Sequence, residues 1–216
     1  MATFSVAFLG CKVSHADAQE IRERLVADGH AVAAGETDVA VLSTCCVTHE
    51  AVRKSRQAAR RAARRAGRVY LTGCAANLDG DAFAGLPDNV VVVRLPSERT
   101  PAFIAGDVGA VGCVRADTGL DRVRAFVKVQ DGCSFSCAFC VIPQVRGASR
   151  SRTAAAVLGE VGRRVGQGHR EVVLTGINLG CYRDRAAGYD LSRLLRDAGE
   201  TPGLARASIA LVAGDR

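Results

Sequence analysis

The first half of the chain alternates between two kinds of hydrophobic pattern. Three short runs rich in β-branched and aromatic residues each end in a polar or glycine turn, which is typical of buried strands. They are FSVAFLG (4–10), DVAVLST (38–44) and RVYLTG (68–73). The segments between these runs are polar on one side and apolar on the other, so the pattern predicts a succession of βαβ units.

The two segments between these runs have the spacing of helices. In the first, DAQEIRERLVADGH, Ile21, Leu25 and Val26 fall on one helical face, and Gly29 supplies a stop. The second, HEAVRKSRQAARRAARRAG, is also closed by a glycine. Because strands that alternate with helices form parallel sheets, we predict a small doubly wound α/β domain over residues 1–94.

The second half of the chain shows a similar alternation. A strand is predicted at AFVKVQ (125–130), a helix over 153–166 and a strong strand at EVVLTG (171–176), followed by a helix near YDLSRLLRDAG and a weak strand near ASIALV. This is the beginning of a βα barrel, with too few strands to close one. We expect this partial barrel to cover residues 123–216, and residues 95–122, which lack a sustained period, to be a linker that contains one short helix or strand.

The cysteine content bears on whether the protein is expected in a reducing or an oxidising compartment. The chain has nine cysteines in 216 residues. The N-terminus has no basic segment ahead of an apolar core, and no apolar run approaches the roughly 20 residues that span a bilayer. We therefore expect a reducing, cytoplasmic setting without a membrane anchor, where clustered cysteines more often bind metal than form disulfides.

Positive charge is concentrated in the second predicted helix. The formal net charge of +7 favours a polyanionic partner, and a dense run of cations with almost no interspersed acid suits a track of phosphates. A solvated helix face is the ordinary alternative. The cations are Arg53, Lys54, Arg56, Arg60, Arg61, Arg64, Arg65 and Arg68.

Cysteines follow all three predicted strands of the first domain. Cys11 follows the first strand, Cys45 and Cys46 follow the second, and Cys74 follows the third. Since the strands of a parallel sheet end at one edge, we expect these loops to converge. A single buried cysteine is more often a small core residue, but three at equivalent positions favour a shared site. Cys113 has no partner at ligand spacing and is interpreted as structural or incidental.

A second group of thiols is local in sequence. The stretch DGCSFSCAFCVIP (131–143) places Cys133, Cys137 and Cys140 in a CxxxCxxC array, and the nearest further cysteine, Cys181, is far along the chain. A structural zinc site usually needs four protein ligands. A four-iron four-sulfur cluster accepts three thiolates and leaves one iron open, where S-adenosylmethionine can bind and be cleaved to a radical. Zinc binding and simple electron transfer remain the alternatives.

Several motifs together resemble one family. Phe139, directly before the third cysteine, and the position of the array after a barrel strand are similar to the radical S-adenosylmethionine superfamily, and LTGIN (174–178) resembles the turn that contacts the methionine end of that cofactor. LGCKVSHADAQ, STCCVTHEAVRKSRQ, LTGCAAN, VKVQDGCSFSCAFCVIPQVRGASRSR and EVVLTGINLGCY are similar, in order, to motifs of the MiaB-type methylthiotransferases. GCKV (10–13) is most similar to the MtaB branch.

The resemblance implies specific cofactors and contact residues. Two 4Fe-4S clusters and S-adenosylmethionine are implied, with chemistry at the clusters instead of at a side-chain acid or base. Cys46 stands at a position that varies in the family. The implied ligands are Cys133, Cys137 and Cys140 for the cluster that binds S-adenosylmethionine, and Cys11, Cys45 and Cys74 for an auxiliary cluster; the implied cofactor contacts are Phe139, Thr175, Gly176 and Asn178.

The resemblance also implies a reaction and partners. In the family, a methylthio group is added to C2 of a tRNA adenosine next to the anticodon, and for the MtaB branch that base carries a threonylcarbamoyl group. One S-adenosylmethionine supplies the methyl group and another supplies the radical, with electrons from a donor such as flavodoxin or ferredoxin. An iron–sulfur electron carrier or scaffold, a zinc-stabilised RNA-binding module, and a methylthiotransferase with another substrate remain open.

The end of the chain departs from the family pattern. Members of the family are longer and carry further barrel strands and a C-terminal RNA-binding TRAM domain, whereas this sequence ends after LARASIALVAGDR. The resemblance therefore predicts a C-terminally truncated member without the TRAM domain. Such a chain could hold clusters and still be an inactive fragment.

Overall fold

The described residues form two compact units. A computed structural model describes residues 1–78, 80–110 and 124–211. The first unit contains the described part of Met1–Asp117 together with Gln144–Arg146, and the second contains the described part of Thr118–Pro143 and Gly147–Arg216. Within those described ranges, no helix has the length and apolar character needed to cross a membrane.

A five-stranded parallel sheet forms the centre of the first unit. The strands lie in the order β2-β1-β3-β4-β5, and every neighbouring pair is parallel. The elements are β1 (Thr3–Phe8), α1 (Lys12–Ala27), β2 (Ala31–Val32), β3 (Thr37–Thr44), α2 (His49–Ala63), β4 (Ala66–Gly73), β5 (Val90–Val92) and α3 (Thr100–Val108).

Helices cover both faces of this sheet. Val39 and Val41 of β3 share a buried core with residues of α1 and α3, whereas Ala40 and Leu42 line a groove together with residues at the end of α2. Successive side chains of a strand point to opposite faces, so α1 and α2 lie on opposite sides of the sheet. The prediction of a doubly wound α/β domain is confirmed.

Burial explains why α1 and α3 form where they do. The predicted apolar face of α1 is buried, with Ile21 2%, Leu25 0% and Val26 5% exposed. Helix α3 lies within the segment predicted as a linker, and its Ile104 and Ala105 are buried in the same core. This core fixes the sheet whose edge carries the cysteine loops.

Four of the remaining strands build a second, smaller sheet. Its order is β11-β8-β6-β7, with β6, β8 and β11 parallel to one another and β7 antiparallel to β6. Strands β9 and β10 form a separate antiparallel pair. The elements are β6 (Arg124–Asp131), α4 (Ile142–Arg146), β7 (Arg150–Ser151), α5 (Ala154–Gly166), β8 (Glu171–Gly176), a 3₁₀ turn (Leu179–Cys181), β9 (Arg183–Asp184), β10 (Tyr189–Asp190), α6 (Leu191–Gly199) and β11 (Arg206–Leu211).

The second sheet has the architecture expected for the start of a βα barrel. Parallel strands β6, β8 and β11 are joined through α5 and α6, whose N-termini are capped by the side chains of Thr153 and Asp190. Val157 and Val161 of α5 pack with Leu174 of β8 in the buried core. The predicted fold class is therefore confirmed in this unit as well, and the array of three cysteines follows its first strand.

Candidate functional site

Three cysteines lie at the carboxyl edge of the first sheet. Cys11 is the residue before α1 in the loop after β1, Cys45 directly follows β3, and Cys74 directly follows β4. In the sheet, β3 lies between β1 and β4. The chain proceeds from β1 to β2 on one side and to β3 on the other, so Cys11 and Cys45 flank the position where open α/β folds bind ligands.

Backbone packing brings these loops together. A Cβ placed on Gly10 would lie 2.9 Å from Cβ of Cys45 and 3.5 Å from its sulfur, so the loop of Cys11 passes directly beside Cys45. The N–H of Cys74 donates to the carbonyl of Thr44, at 3.1 Å. Cys45 and Cys74 are 8% and 4% exposed, whereas Cys11 is half-buried.

The surroundings shift the pKa values of three thiols at this edge, Cys45, Cys46 and Cys74. The S–H of Cys46 donates to the sulfur of Cys74, and this bond, together with the nearby Arg146 guanidinium, lowers the pKa of Cys74 to about 6. The same bond raises the pKa of Cys46 well above its usual range. Burial raises the pKa of Cys45, and the charges of Cys74 and Cys11 raise it further. Of Cys45, Cys46 and Cys74, only Cys74 therefore has a lowered pKa.

This donor set fits an iron–sulfur cluster better than a closed metal site. Cysteine thiolates are the usual ligands of such clusters, and a metal ligand must be deprotonated, as Cys74 is already disposed to be. In the described part of the chain, no three His, Cys, Asp or Glu side chains form a ready-made metal site. The fold thus brings the thiols to one edge of the sheet, but their side chains are not yet arranged around a metal position.

One buried cation at this edge was missed by the sequence analysis. Arg146, which belongs to the first compact unit, places its Nε 2.9 Å from the sulfur of Cys74 and a terminal nitrogen 2.9 Å from Oδ2 of Asp17. Asp17 interrupts the apolar stripe of α1 between Val13 and Ile21, which are both buried. A carboxylate within an apolar stripe is the signal that could have revealed this pair.

The second group of cysteines lies in a loop after β6. The N–H of Cys133 donates to the carbonyl of Gly147 at 3.0 Å, and the N–H of Cys140 donates to the carbonyl of Cys137 at 3.1 Å. Cys137 is exposed, and Cys133 and Cys140 are half-buried. Phe139, predicted to contact the cofactor, is 94% exposed. This loop therefore exposes Cys137 and Phe139 and partly covers Cys133 and Cys140.

Gln130 organises this loop and was also missed. Its side chain is fully buried at the end of β6. Its amide nitrogen donates to the carbonyls of Asp131 and Gly132, at 3.0 and 2.7 Å, and its amide oxygen accepts from the N–H of Asn178 at 2.7 Å. A polar residue at the carboxyl end of a barrel strand is the signal that marks such positions. Gln130 ties the start of the cysteine loop to the turn after β8.

The turn LTGIN occupies the end of β8. The hydroxyl of Thr175 is buried and donates to the carbonyl of Ala210 at 3.3 Å. A Cβ on Gly176 would lie 2.7 Å from Leu179 and 3.0 Å from the carbonyl of Gln130, so packing alone already requires glycine there. The side-chain nitrogen of Asn178 lies 3.8 Å from the sulfur of Cys133. Of these three predicted cofactor contacts, Asn178 is placed directly beside a predicted cluster ligand.

The predicted basic helix divides its cations between two grooves. Arg53, Arg56 and Arg60 recur on one face of α2 and line a groove of about 510 Å³. Arg53 also holds Glu50 through two hydrogen bonds of 2.7 and 2.6 Å, and the ammonium of Lys54 lies 3.7 Å from the same carboxylate. The first groove therefore contains a cation, Arg53, that is already partly neutralised.

The other predicted cations lie near the end of the helix. Arg61, Arg64 and Arg65 line a second groove, of about 420 Å³. Arg68 lies within β4 instead of the helix and pairs with Asp107 at 3.1 Å. The run of cations in the sequence is thus not one continuous surface of α2.

Two further cysteines were set apart from these sites by the sequence analysis. Cys181 ends the 3₁₀ turn Leu179–Cys181 and is half-buried. Cys113 lies outside the described residues. Neither changes the two predicted sets of ligands.

Known proteins resemble the chain over nearly its whole length. Residues 3–94 match the family model described as uncharacterized protein family UPF0004. The threonylcarbamoyladenosine tRNA methylthiotransferase MtaB of Chlamydia pneumoniae is 32% identical, covering 99% of this chain and 52% of that protein. MtaB of Bacillus subtilis is 33% identical, covering 91% of this chain and 48% of that protein.

A relative named for a different nucleoside is similar to the same extent. The tRNA-2-methylthio-N(6)-dimethylallyladenosine synthase of Prosthecochloris aestuarii is 34% identical, covering 92% of this chain and 50% of that protein. The chain thus spans about half the length of the relatives it matches. Among solved structures, the radical S-adenosylmethionine methyltransferase TsrM of Kitasatospora setae, with cobalamin and a 4Fe-4S cluster bound, has a TM-score of 0.48 at 15% identity, covering 82% of this chain and 48% of that chain.

Sequence motifs, the domain match and the relatives therefore agree. The resemblance extends from the cysteine loops of the first sheet to the cysteine array and the turn after β8. The chain belongs to the MiaB-type methylthiotransferase family, and MtaB proteins are among its relatives.

Proposed function

We propose that this chain carries the two cluster-binding regions of a tRNA methylthiotransferase that uses radical S-adenosylmethionine chemistry. The observation that carries the proposal is the presence of two separate thiol sets, each at the carboxyl end of parallel strands, where open α/β sheets and βα barrels build their sites. In this proposal residues 1–94 hold the auxiliary cluster, residues 123–216 carry the radical chemistry, and residues 95–122 connect them.

Cys133, Cys137 and Cys140 hold a 4Fe-4S cluster in the proposed function. Three ligands leave one iron for S-adenosylmethionine, and the bound groups supply reductive cleavage of that cofactor to a radical able to activate an unreactive C–H bond. The chain's own part is positioning. The carbonyl of Gly147 and the side chain of Gln130 fix the loop that carries the thiols.

The residues around this loop suit contacts with the cofactor. Asn178 is close enough to Cys133 for its amide to act at the edge of the same site. Phe139 is exposed beside the third cysteine and is available to cover a bound molecule. Thr175 and Gly176 support the turn from behind, through the buried hydroxyl of Thr175 and the close packing at Gly176.

Cys11, Cys45 and Cys74 hold the second cluster, which is the proposed source of the sulfur that is methylated and transferred. Their loops come from three adjacent strands, and Cys74 is the most acidic thiol for which a shift is resolved. Cys46 acts as a hydrogen-bond donor to Cys74 and not as a ligand. Burial of Cys45 and Cys74 would exclude water from this cluster.

The proposed substrate is threonylcarbamoyladenosine next to the anticodon of a tRNA, modified at C2. The GCKV motif (10–13) supports this substrate over dimethylallyladenosine, whereas the sequence identities to relatives of the two kinds are nearly equal. The setting is the cytoplasm, and an external donor such as flavodoxin or ferredoxin supplies the electrons. Activity, substrate and partners belong to the whole enzyme, of which this chain corresponds to about half.

Reconstitution with iron and sulfide under anaerobic conditions tests the proposal. We expect about eight irons per chain and release of deoxyadenosine from S-adenosylmethionine after reduction. Addition of tRNA carrying threonylcarbamoyladenosine or dimethylallyladenosine, followed by mass spectrometry of the nucleosides, identifies the substrate. Bound zinc without cofactor cleavage would contradict the proposal, and two clusters without cleavage would favour an electron carrier or scaffold.

The grooves beside α2 are the proposed tRNA contacts. Reversing Arg56 and Arg60 to Glu tests the first groove, and reversing Arg61 and Arg65 to Glu tests the second. Each double reversal is expected to weaken tRNA binding severalfold and to reduce the slope of log affinity against log salt. Unchanged affinity at physiological salt for both variants would assign these cations to an ordinary solvated surface.

A further inference from the structure

A buried ion pair lies against one of the proposed cluster ligands. A terminal nitrogen of Arg146 is 2.9 Å from Oδ2 of Asp17, and these side chains are only 4% and 8% exposed. The Nε of the same guanidinium is 2.9 Å from the sulfur of Cys74. All three residues belong to the first compact unit, so the contact is internal to the part of the chain that carries the sheet-edge thiols.

The guanidinium of Arg146 makes two separate contacts, one with Asp17 and one with the sulfur of Cys74. A guanidinium presents several N–H donors in a rigid planar fork. Here one arm is held by the carboxylate of Asp17, which leaves Nε directed at the sulfur. Because a buried charge is costly without a partner, the carboxylate on α1 also keeps Arg146 in place. Asp17 is thus the residue that orients the donor.

A purely structural role would not require a charged pair at this buried position. Replacing a buried ion pair by well-packed apolar residues is often neutral or stabilising, and the surrounding residues of α1, Val13 and Ile21, are apolar and buried. One donor of the Arg146 guanidinium, its Nε, points at the sulfur of a cysteine. A donor aimed at a ligand sulfur has a specific chemical effect, because hydrogen bonds to sulfur and nearby charge set the reduction potential of an iron–sulfur cluster.

We propose that Arg146, oriented by Asp17, is a positioning residue that raises the reduction potential of the cluster held through Cys74. This inference rests on the proposed function, since it requires a cluster at the sheet edge. The positive charge and the hydrogen bond stabilise the additional negative charge of the reduced cluster. Asp17 opposes this electrostatic effect while it holds the donor in position, so the two residues influence the potential with opposite sign.

The test uses the full chain with Cys133, Cys137 and Cys140 replaced by Ala, so that only the sheet-edge cluster forms. After anaerobic reconstitution, a redox titration followed by electron paramagnetic resonance gives its midpoint potential and spectrum. We expect Arg146→Gln to shift the potential to more negative values. Asp17→Asn should shift it to more positive values, and Arg146→Lys, which keeps the charge, should stay closer to the parent than Arg146→Gln.

A surface pair on the same helix provides matched controls. Arg24 and Asp28 lie 3.1 Å apart on α1 with side chains 57% and 17% exposed, and Arg24→Gln and Asp28→Asn make the same changes in net charge. Their effect on the potential should be much smaller because solvent screens exposed charges. Shifts of the same size in control and test variants would overturn the inference.

The outcomes separate this inference from the proposed function. Opposite shifts for Arg146→Gln and Asp17→Asn support it, whereas shifts of the same sign, or none, overturn it even though the cluster is present. If the Arg146→Gln variant retains no iron, the inference is tested by comparing the midpoint potentials of Asp17→Asn and Arg146→Lys with that of the parent. If the parent with only Cys11, Cys45 and Cys74 assembles no cluster, the proposed function fails, and this inference fails with it.

Discussion

The two sets of cysteines are presented in opposite ways. Cys45 and Cys74 are buried at the edge of a five-stranded sheet, and their neighbours in space come from loops about 30 residues apart in sequence. The cysteines of the array are neighbours in sequence and lie in a loop, with Cys137 exposed. Burial and long-range packing define the first set, whereas a local backbone turn defines the second.

This difference indicates two ways of bringing thiols together. The sheet-edge set can assemble only after β1, β3 and β4 have paired, so its geometry depends on the hydrophobic core of the whole unit. The loop set depends on a few hydrogen bonds, from Gly147 and Gln130 above all. Substitutions should therefore damage the two sets independently, and by different mechanisms.

The largest expected effect comes from removing each set of thiols. Replacing Cys133, Cys137 and Cys140 by Ala should remove about four of about eight irons and abolish cleavage of S-adenosylmethionine. Replacing Cys11, Cys45 and Cys74 should also remove about four irons but leave cleavage intact. Iron analysis and a deoxyadenosine assay measure both effects. Loss of all iron in either variant would mean that the two sets are not independent.

Gly132→Ala should damage the loop set without touching the sheet edge. Gly132 has φ +69°, and a Cβ there would lie 2.2 Å from the carbonyl oxygen of Ala148. The strain and the clash together should lower the free energy of unfolding by about 3 kcal/mol or more. Denaturant unfolding followed by circular dichroism measures this change.

Gly188→Ala is the matched control for that substitution. Gly188 has nearly the same φ, +67°, but the nearest atom to a Cβ there would be a terminal nitrogen of Arg193 at 4.0 Å. Its backbone strain alone should cost about 1 kcal/mol. Equal losses at both positions would show that the backbone conformation matters at Gly132 and the close packing does not.

Gln130→Leu should loosen the loop set by a smaller amount. The change removes donors to the carbonyls of Asp131 and Gly132 and leaves the N–H of Asn178 without its acceptor. A buried polar group left unpaired costs about 1–3 kcal/mol, so the unfolding free energy should fall by about 2 kcal/mol, with faster loss of iron to a chelator. Gln57→Leu, at an exposed position of α2, should change neither quantity.

Cys46→Ala should have the smallest effect, and one that depends on pH. The hydrogen bond from Cys46 is the largest cause of the low pKa of Cys74, about 6. Without it this pKa rises, so at pH 7 a smaller fraction of Cys74 is ionised and cluster assembly should slow severalfold. At pH 9 the variant and the parent should assemble at similar rates, which time courses of absorbance can follow.

Cys45→Ala is the contrast for that prediction. If Cys45 is the ligand, this variant should lose the sheet-edge cluster at both pH values. If a cluster forms in Cys45→Ala but not in Cys46→Ala, then Cys46 is the ligand and Cys45 is not. The result decides which of two adjacent thiols the sheet directs to the site.

Much of the fold could be predicted from local patterns. The strand EVVLTG coincides with β8, and the helix predicted over 153–166 matches α5 with its cap at Thr153. The short strands β2 and β5, with two and three residues, were missed because they are too short to show a period. The helix α4 was missed because it is only five residues long.

The sequence alone determined the kind of chemistry and the thiols available for it. The spacing of Cys133, Cys137 and Cys140 is local, and the positions of Cys11 and Cys74 after apolar runs follow from hydrophobic periodicity. The family resemblance rests on those same motifs. These are properties of short segments, which a one-dimensional pattern can encode.

Only the tertiary structure decided which strands are neighbours and what surrounds each thiol. The order β2-β1-β3-β4-β5 places three cysteine loops side by side, and packing brings Arg146 and Asp17, 129 residues apart in sequence, to the sulfur of Cys74. It also divides the basic run of α2 between two grooves. Such contacts depend on burial and on closing long loops, and no local pattern of residues records where those loops close.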